Sequence, residues 1–281
     1  MYDYGFTNIF FMENNELKKP NYVLITGGTS GIGYELAKLF AQEGYNLVIV
    51  ARDLAELENT AAGFSQQYEV EVVKICKDLF DTRNAFALYE EVLDKGIEVS
   101  ILVNDAGQGQ YGKFIDTDIQ RELDIIQLNI SSLVVLTKLF VKDMLQRGNG
   151  KILNLSSIAS KVPGPFQSVY HGTKAFVQSF TEAIRAELKD CGITVTALLP
   201  GATDTDFFNK AGMQESKIVQ EGQLDDPAKV ARDGFDALMS GDDKVVSGFK
   251  NKMQLAMSSI TPDDKAAKKM LEKQKPVTGK D

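Results

Sequence analysis

The chain has few of the side chains that build metal sites and histidine-based active sites. Among 281 residues it contains one histidine, His171, and two cysteines, Cys76 and Cys191. A single histidine excludes a metal site with several histidine ligands and argues against a catalytic triad that depends on histidine. The cysteines are distant in sequence and show no CxxC spacing, so we predict no metal site. We expect both to be buried free thiols in a reducing compartment, the cytoplasm.

A surplus of positive charge is also missing. The chain has 31 lysines and arginines against 39 aspartates and glutamates, which gives a net charge of -8. An acidic chain of this kind is not typical of proteins that bind nucleic acids or anionic membrane surfaces. No segment approaches the ~18 consecutive apolar residues of a membrane span, so we predict no transmembrane segment.

The first 19 residues have the features of an extension rather than of a secretory signal. An aromatic-rich patch is followed by a polar run, without the basic start and long apolar core of a signal peptide. We predict that residues 1–19 are a flexible N-terminal extension, within which Met12 is an alternative start.

A glycine-rich turn follows the first apolar run of the chain. Tyr22 to Ile25 reads as a buried strand, and the sequence TGGTSGIG, Thr26 to Gly33, leads from it into a helical stretch. Glycines between a strand and a helix allow a tight turn and let backbone amides approach a pyrophosphate. A tight turn without a ligand is the alternative. The residues predicted to contact a dinucleotide here are Gly27, Thr29, Ser30, Gly31, Ile32 and Gly33.

The end of the second predicted strand bears on the choice of cofactor. An acid about 20 residues after the glycines commonly binds a ribose 2′-hydroxyl, whereas an arginine there suits a 2′-phosphate. Both types are present, as Arg52 and Asp53. Asp53 followed by Glu56 also fits a capping box at the start of a helix. We therefore assign Asp53 to structure and Arg52 to phosphate, which favours NADP(H) over NAD(H).

Strands and helices alternate along most of the remaining chain. Buried strand patterns end before Asp78-Leu79, before Asn104-Asp105-Ala106-Gly107, and before Pro200-Gly201. Helices are predicted between them, including a long one over residues 115–143 and another over residues 170–189. Such alternation predicts a single-domain α/β fold, a Rossmann-type doubly wound parallel sheet with helices on both faces. Ligands bind such sheets at the carboxyl ends of the strands, where these polar and small residues lie.

Three residues beyond the fifth strand carry the proposed chemistry. Tyr170 and Lys174 are four apart and share one face of a helix, and Ser157 precedes them across a Pro/Gly-rich loop. At ~4 Å and an effective dielectric of ~20, an ammonium would stabilise a phenolate by ~4 kcal/mol, or roughly three pKa units as a ceiling. The serine hydroxyl would then donate to an oxygen that gains negative charge. An exposed Tyr–Lys pair without a role is the alternative.

Taken together, these motifs resemble the classical short-chain dehydrogenase/reductase family, from Tyr22 to at least Phe207. The family's TGxxxGIG corresponds to Thr26–Gly33, its catalytic residues to Asn129, Ser157, Tyr170 and Lys174, and its PGxxxT to Pro200–Thr205. The resemblance implies that Tyr170 exchanges a proton with a carbonyl or alcohol. Lys174 would lower the pKa of Tyr170 and bind the nicotinamide ribose, Ser157 would stabilise the substrate oxygen, and Asn129 would hold a relay water.

The resemblance also implies further contacts and partners. The additional residues expected to contact the cofactor are Arg52, Asp78, Leu79, Asn104, Ala106, Gly107, Tyr170, Lys174, Pro200, Gly201, Thr203 and Thr205. The substrate would be a small carbonyl compound or alcohol, and the enzyme a homodimer or homotetramer. One residue departs from the family's NNAG motif, because Asp105 replaces an asparagine whose contact to the sheet is then in doubt.

The C-terminal part carries less specific signals. We predict a core domain over residues 20–248 with a substrate lid over 203–224, and a C-terminal helical extension over 249–281. The apolar residues Phe207, Phe208, Met213 and Ile218 fit a lid as well as ordinary packing, with Val162, Pro163 and Phe166 as the opposite wall. The C-terminal part weakly resembles a subgroup of bacterial reductases related to DltE, and its methionine-bearing helix is expected to complete the core.

Overall fold

The computed structural model describes residues 21–258 and 261–277. The predicted extension over residues 1–19 lies outside them. The strands are β1 (Tyr22–Thr26), β2 (Asn46–Ala51), β3 (Val72–Cys76), β4 (Val99–Asn104), β5 (Gly150–Leu155), β6 (Ile193–Leu199) and β7 (Lys244–Val246). The helices are α1 (Gly31–Gln42), α2 (Leu54–Tyr68), α3 (Thr82–Asp94), α4 (Ile119–Ile126), α5 (Leu133–Arg147), α6 (Ser168–Leu188), α7 (Phe207–Ala211), α8 (Lys217–Gln220), α9 (Pro227–Ser240), α10 (Phe249–Ser258) and α11 (Asp263–Gln274).

The strands form one parallel sheet in the order β3-β2-β1-β4-β5-β6-β7. Central strands such as β1 are buried along their whole length, because helices cover both faces. One face packs on α1 and α9, with Phe40 and Phe235 in edge contact. The other face packs on α3 and α5. The predicted fold class, a doubly wound parallel sheet in a single α/β domain, is confirmed.

The long helix predicted over residues 115–143 begins later and is not uniform. Its N-cap is Asp118, whose carboxylate accepts a hydrogen bond from the backbone N–H of Gln120 at 3.0 Å. A π-helical turn, Gln127–Ser132, separates α4 from α5. The start was misplaced because Ile115 continues the apolar pattern, although it is exposed in a loop.

The same helical run is the one described segment with a composition that a membrane span requires. The stretch Ile119–Arg147 is long and apolar enough by length and hydropathy. A core helix of a soluble protein meets the same criterion, and in this fold Leu136, Phe140 and Met144 are buried against the sheet. The composition of this run is therefore weak evidence for a membrane segment.

Two further expectations differ from the structure. Cys76 and Cys191 are free thiols, as predicted, but both are exposed rather than buried. Cys76 ends edge strand β3 and Cys191 lies in the turn before β6, where the apolar sequence around each does not enclose the side chain. The amphipathic stretch from 249 to 275 forms two helices rather than one, and Pro262 immediately precedes α11.

Candidate active site

A cleft of about 1160 Å³ opens along the carboxyl edge of the sheet. It crosses the ends of β1, β2, β4, β5 and β6, where the chain turns from strand to loop. The sheet order reverses between β1 and β4, and doubly wound sheets bind their ligands at such a reversal. The C-terminal helices α10 and α11 contribute part of the opposite wall.

The glycine-rich loop after β1 forms one end of the cleft. Gly27 and Gly31 have φ angles of 76° and 57°, which other residues adopt only with strain. A Cβ added at Gly31 would lie 3.0 Å from the Thr205 methyl carbon, so the loop and the segment after β6 are in close approach. Ser30 begins α1 without a side-chain capping bond, which leaves the backbone N–H groups at the start of the helix, before Gly33, available to an anion.

Residues after β2 divide into a helix cap and a free cation. The Asp53 carboxylate accepts a hydrogen bond from the backbone N–H of Glu56 at 3.0 Å, as the capping hypothesis predicts. The Glu56 carboxylate accepts instead from the Thr29 hydroxyl at 3.2 Å, so the box is half formed. The guanidinium of Arg52 lies 4.9 Å from the centre of the Phe80 ring, and both side chains line the cleft.

Ser157, Tyr170 and Lys174 converge on the middle of the cleft. The 3₁₀ turn Ile158–Lys161 starts at Ser157, whose hydroxyl accepts from the backbone N–H of Ala159 at 3.1 Å. Helix α6 brings Tyr170 near this hydroxyl, which acts to lower the pKa of the phenol. One turn later, the Lys174 ammonium lies 5.9 Å from the Tyr170 ring centre and donates to the carbonyl of Leu155 at 2.7 Å.

Burial sets the protonation of this group. It raises the pKa of Tyr170 to about 12, while the hydrogen bond to Ser157 acts in the opposite direction. Burial lowers the pKa of Lys174 to about 8, while the charge of Asp105 acts against that shift. The predicted lowering of the Tyr170 pKa by the Lys174 ammonium is not among the causes of the shift here. Near neutral pH the phenol therefore holds its proton and is in the donor form.

Asn129 lies within the π-helical turn and connects the loop after β4 to α6. Its amide nitrogen donates to the Gln108 carbonyl and to the Thr173 hydroxyl, each at 2.9 Å. Its amide oxygen accepts from the backbone N–H of Gln108 at 3.0 Å. A Cβ added at Gly107 would lie 3.4 Å from this oxygen and 3.3 Å from the Lys174 nitrogen. The small residue thus keeps the path to both groups open.

Asp105 lies at the junction of the glycine loop and the catalytic lysine. One carboxylate oxygen would lie 2.5 Å from a Cβ added at Gly33, and the other oxygen has no described partner. Burial raises the pKa of this carboxyl to about 7, opposed by the Lys174 charge and by the backbone N–H of Gly33. The preceding residue, Asn104, is held by side-chain hydrogen bonds, since its amide donates to Thr137 and Asn154.

Most predicted cofactor residues lie on the wall of the cleft, but some do not. The predicted cofactor residues that do not line the cleft are Gly33, Asp78, Asn104 and Lys174, and the predicted catalytic residue Asn129 does not line it either. Asp78 accepts a hydrogen bond from the backbone N–H of Phe80 at 3.1 Å and so shapes the loop after β3. Asn129 and Lys174 are only 2% and 5% exposed but adjoin Gly107, so they act just beneath the surface.

The predicted walls of the substrate region differ in outcome. The four apolar residues predicted as either a lid or ordinary packing do both. They pack together and also line the cleft: Phe207, Phe208, Met213 and Ile218. On the other side Val162 lines the cleft, whereas Pro163 and Phe166 do not, because Phe166 stacks on Tyr111 at 5.4 Å.

Several lining residues had no recognisable signal in the sequence. His171 has its Nδ1 2.8 Å from the Val162 carbonyl oxygen. Its Nε2 lies 3.3 Å from the amide nitrogen of Gln274, which reaches the cleft from α11. Gln167 meets the same amide at 3.4 Å. In sequence, both glutamines are ordinary polar residues with no motif around them. Gln274 lines the cleft only because α11 returns to it.

Comparison with known proteins identifies the same architecture. The sequence model described as short chain dehydrogenase matches residues 21–216. Among curated relatives, dehydrogenase/reductase SDR family member 7B of Mus musculus is 32% identical over 251 residues, which cover 85% of this chain and 77% of that protein. A very-long-chain 3-oxoacyl-CoA reductase of Coprinopsis cinerea is 34% identical over 181 residues, covering 63% of this chain and 53% of that protein.

A solved structure agrees over most of the chain. The short-chain dehydrogenase from Sphingobium yanoikuyae in complex with NADPH superimposes with a TM-score of 0.77 and 28% identity. The match covers 86% of this chain and 96% of that one.

Proposed function

The chain belongs to the short-chain dehydrogenase/reductase family and is an oxidoreductase with an NAD(P)-binding fold, and from this premise we propose that it interconverts a carbonyl and an alcohol with NADP(H). The observation that carries the proposal is the convergence of Ser157, Tyr170 and Lys174 on a cleft that begins at the glycine loop. The bound nicotinamide supplies the hydride. Where NADP is largely reduced, carbonyl reduction is the expected direction.

Tyr170 is the proposed general acid. Its high pKa keeps the phenol protonated near pH 7, so it arrives at the reaction as a donor. As the carbonyl oxygen gains negative charge, the phenol gives up its proton, and the reverse transfer serves alcohol oxidation. The Ser157 hydroxyl lies near the phenol and makes only a long 3.4 Å donor contact to the Pro200 carbonyl, so it is placed to donate to the same substrate oxygen.

Lys174 and Asn129 support this transfer from beneath the cleft wall. We assign Lys174 to the nicotinamide ribose and to stabilising the phenolate, since its ammonium lies 5.9 Å from the ring centre. The Asn129 amide is used by Gln108 and Thr173. A relay water is therefore better held by the backbone of the π-helical turn, a feature often found at functional sites.

The remaining cofactor contacts follow the shape of the cleft. Residues proposed to contact the cofactor from its wall are Gly27, Thr29, Ser30, Gly31, Ile32, Arg52, Leu79, Ala106, Gly107, Pro200, Gly201, Thr203 and Thr205. The solved relative that holds NADPH supports a choice of NADP(H) for this chain. Gly33 is proposed to shape the turn around the cofactor, because Asp105 occupies the space beside it and accepts from its backbone N–H.

Arg52 is the proposed ligand of the 2′-phosphate. Its side chain lines the cleft beside Phe80 and forms no ion pair among the described residues. The alternative hypothesis is an NAD-dependent alcohol dehydrogenase of the same fold, in which Asp53 would bind the ribose. Asp53 instead caps helix α2, which argues against that hypothesis. Arg121 offers a matched control, because it also stacks on Phe80, at 5.0 Å, but does not line the cleft.

Fluorescence titration with NADPH and NADH tests this assignment. The chain has no tryptophan, so nicotinamide emission is read without that background. We expect wild type to prefer NADPH, and Arg52→Ala to weaken NADPH alone by about 10- to 100-fold, the value of a lost charge-assisted pair. Arg121→Ala should retain the preference. Equal binding of both cofactors by wild type, or a preference for NADH, would return Asp53 to the ribose.

Turnover with a panel of ketones and aldehydes tests the reaction itself. Consumption of NADPH that depends on the carbonyl compound supports the proposal. A protein that binds NADPH but reduces no carbonyl compound would support the alternative hypothesis, a non-catalytic regulatory protein that binds NADP(H). Phe207, Phe208 and Met213 line the cleft and favour substrates of moderate size with an apolar part.

The wider organisation of the protein is also proposed. We assign residues 20–248 to the catalytic core with a lid over 203–224, and residues 249–281 to a C-terminal extension. The enzyme is proposed to work in the cytoplasm, where exposed Cys76 and Cys191 stay reduced. A homodimer or homotetramer follows from family resemblance, and so does the weaker likeness to reductases related to DltE.

A further inference from the structure

Three lysines from the C-terminal helices lie together on the wall of the cleft. Lys250 comes from α10, and Lys269 and Lys273 come from one face of α11. These helices begin at residue 249, whereas the family match ends at residue 216, so this part of the wall lies outside the matched region.

The three ammonium groups are close enough to repel one another. The pKa of Lys273 is lowered first by burial and then by the charges of Lys269 and Lys250. Within the described part of the chain, none of the three has a carboxylate within ion-pair distance. Lys273 donates instead to the neutral amide oxygen of Gln254 at 3.2 Å. Such a cluster is notable in a chain with a net charge of -8.

The wall between the lysines and Tyr170 contains polar atoms without partners. Gln274 and Gln167 are 2% and 5% exposed, and both line the cleft. The amide oxygen of Gln274 and the amide nitrogen of Gln167 are buried without a hydrogen bond among the described residues. Buried polar atoms are rarely left unpaired in folded proteins. The Gln274 amide oxygen can therefore accept, and the Gln167 amide nitrogen donate, a hydrogen bond with a polar group that enters the cleft.

We propose that Lys250, Lys269 and Lys273 bind an anionic group, a carboxylate or a phosphate, of the carbonyl substrate whose reacting oxygen meets Tyr170. This inference rests on the proposed carbonyl reduction. The glutamine pair would hydrogen-bond the substrate between its two ends. The cofactor's own anions are assigned elsewhere, the 2′-phosphate to Arg52 and the pyrophosphate to the glycine loop, so the cluster is a substrate subsite.

The substrates for the test are methyl-ketone carboxylic acids of increasing chain length, such as 6-oxoheptanoate, each paired with its methyl ester. Dihydroxyacetone phosphate paired with dihydroxyacetone provides the phosphate arm. The variant is Lys269→Gln/Lys273→Gln. The control is Lys265→Gln/Lys268→Gln, which removes the same charge from exposed positions on α11 that do not line the cleft.

We expect wild type to use at least one acid with a KM about 10-fold or more below that of its ester. The subsite variant should lose this advantage through KM, while its activity on the ester and its Kd for NADPH stay unchanged. Added KCl should raise the KM of the acid and leave the KM of the ester unchanged, because salt screens the contact between the anionic group and the lysines. Whether the acids or the phosphate ester gain most identifies the anion.

The results separate this inference from the proposed function. Equal KM values for acid and ester, equal losses in subsite variant and control, or a raised Kd for NADPH in the subsite variant would each overturn the subsite. Should no carbonyl be reduced, binding of the acids is read from the emission of bound NADPH. Acid binding that the subsite variant weakens would then retain the subsite while the reductase proposal falls, and no acid binding would remove both.

Discussion

Replacement of Asp105 by asparagine should make the protein more stable, by an amount that grows with pH. Folding raises the pKa of this carboxyl from 3.8 to about 7, because burial disfavours its charged form. Between those two values the folded state binds the proton more tightly than the unfolded chain. The free energy of unfolding therefore falls as pH rises through this window and levels off above the folded pKa. An uncharged asparagine removes this dependence.

The size of the effect follows from the width of the pH interval. Between pH 5.5 and 8.0, the free energy of unfolding of wild type falls only up to the folded pKa of Asp105, an interval of about 1.5 pH units. This corresponds to a loss of about 2 kcal/mol. At roughly 2 °C per kcal/mol, the Tm difference between Asp105→Asn and wild type should widen by about 4 °C over this range. Lys174 does not cancel the trend, because loss of the Asp105 charge lowers the lysine pKa further and favours the variant as pH rises.

Thermal melting followed by circular dichroism at several pH values measures this difference. Asp116→Asn is the matched control, since Asp116 is an exposed acid outside the cleft, and its curve should run parallel to that of wild type. Parallel melting curves for Asp105→Asn and wild type across the whole range would refute the reasoning. They would mean that the buried carboxyl is ionised at no cost.

Two further predictions concern the cofactor end of the cleft. Gly31→Ala should weaken NADPH binding by about 10-fold or more, as measured by titration. Thermal melting should show a loss of stability no larger than the about 1–2 kcal/mol that a positive φ costs a residue with a side chain. Unchanged NADPH binding would contradict a pyrophosphate at this loop. Asp53→Ala should cost about 1 kcal/mol of stability through loss of the α2 cap while retaining the preference for NADPH over NADH. A loss of that preference would show that Asp53 takes part in cofactor selection.

The alternation of strands and glycine turns was enough to predict the fold and the edge of the sheet that carries the cleft. Tyr170 and Lys174 were predictable because helical spacing is local, and Ser157 because the strand before it ends in the same layer. The break of the helix at the π-helical turn was not, since nothing in residues 127–132 interrupts the apolar period.

The protonation of the site and its C-terminal wall depend on contacts that sequence does not reveal. Asp105 stands out in sequence only as a departure from a motif, and its raised pKa arises from enclosure by the glycine loop and α6. The lysines of α11 look like an ordinary solvated helix face. They line the cleft only because α11 returns to it, where Gln274 meets Gln167 across 107 residues of sequence.

The most direct test of the account is NADPH-dependent carbonyl reduction by Tyr170→Phe beside wild type, with NADPH binding measured on both. The account predicts that the variant binds NADPH with unchanged affinity and loses kcat by about 10²- to 10⁴-fold, because it keeps the ring and removes only the proton donor. A variant that reduces the same carbonyl compound at the wild-type rate while binding NADPH normally would contradict the assignment of Tyr170 as the general acid.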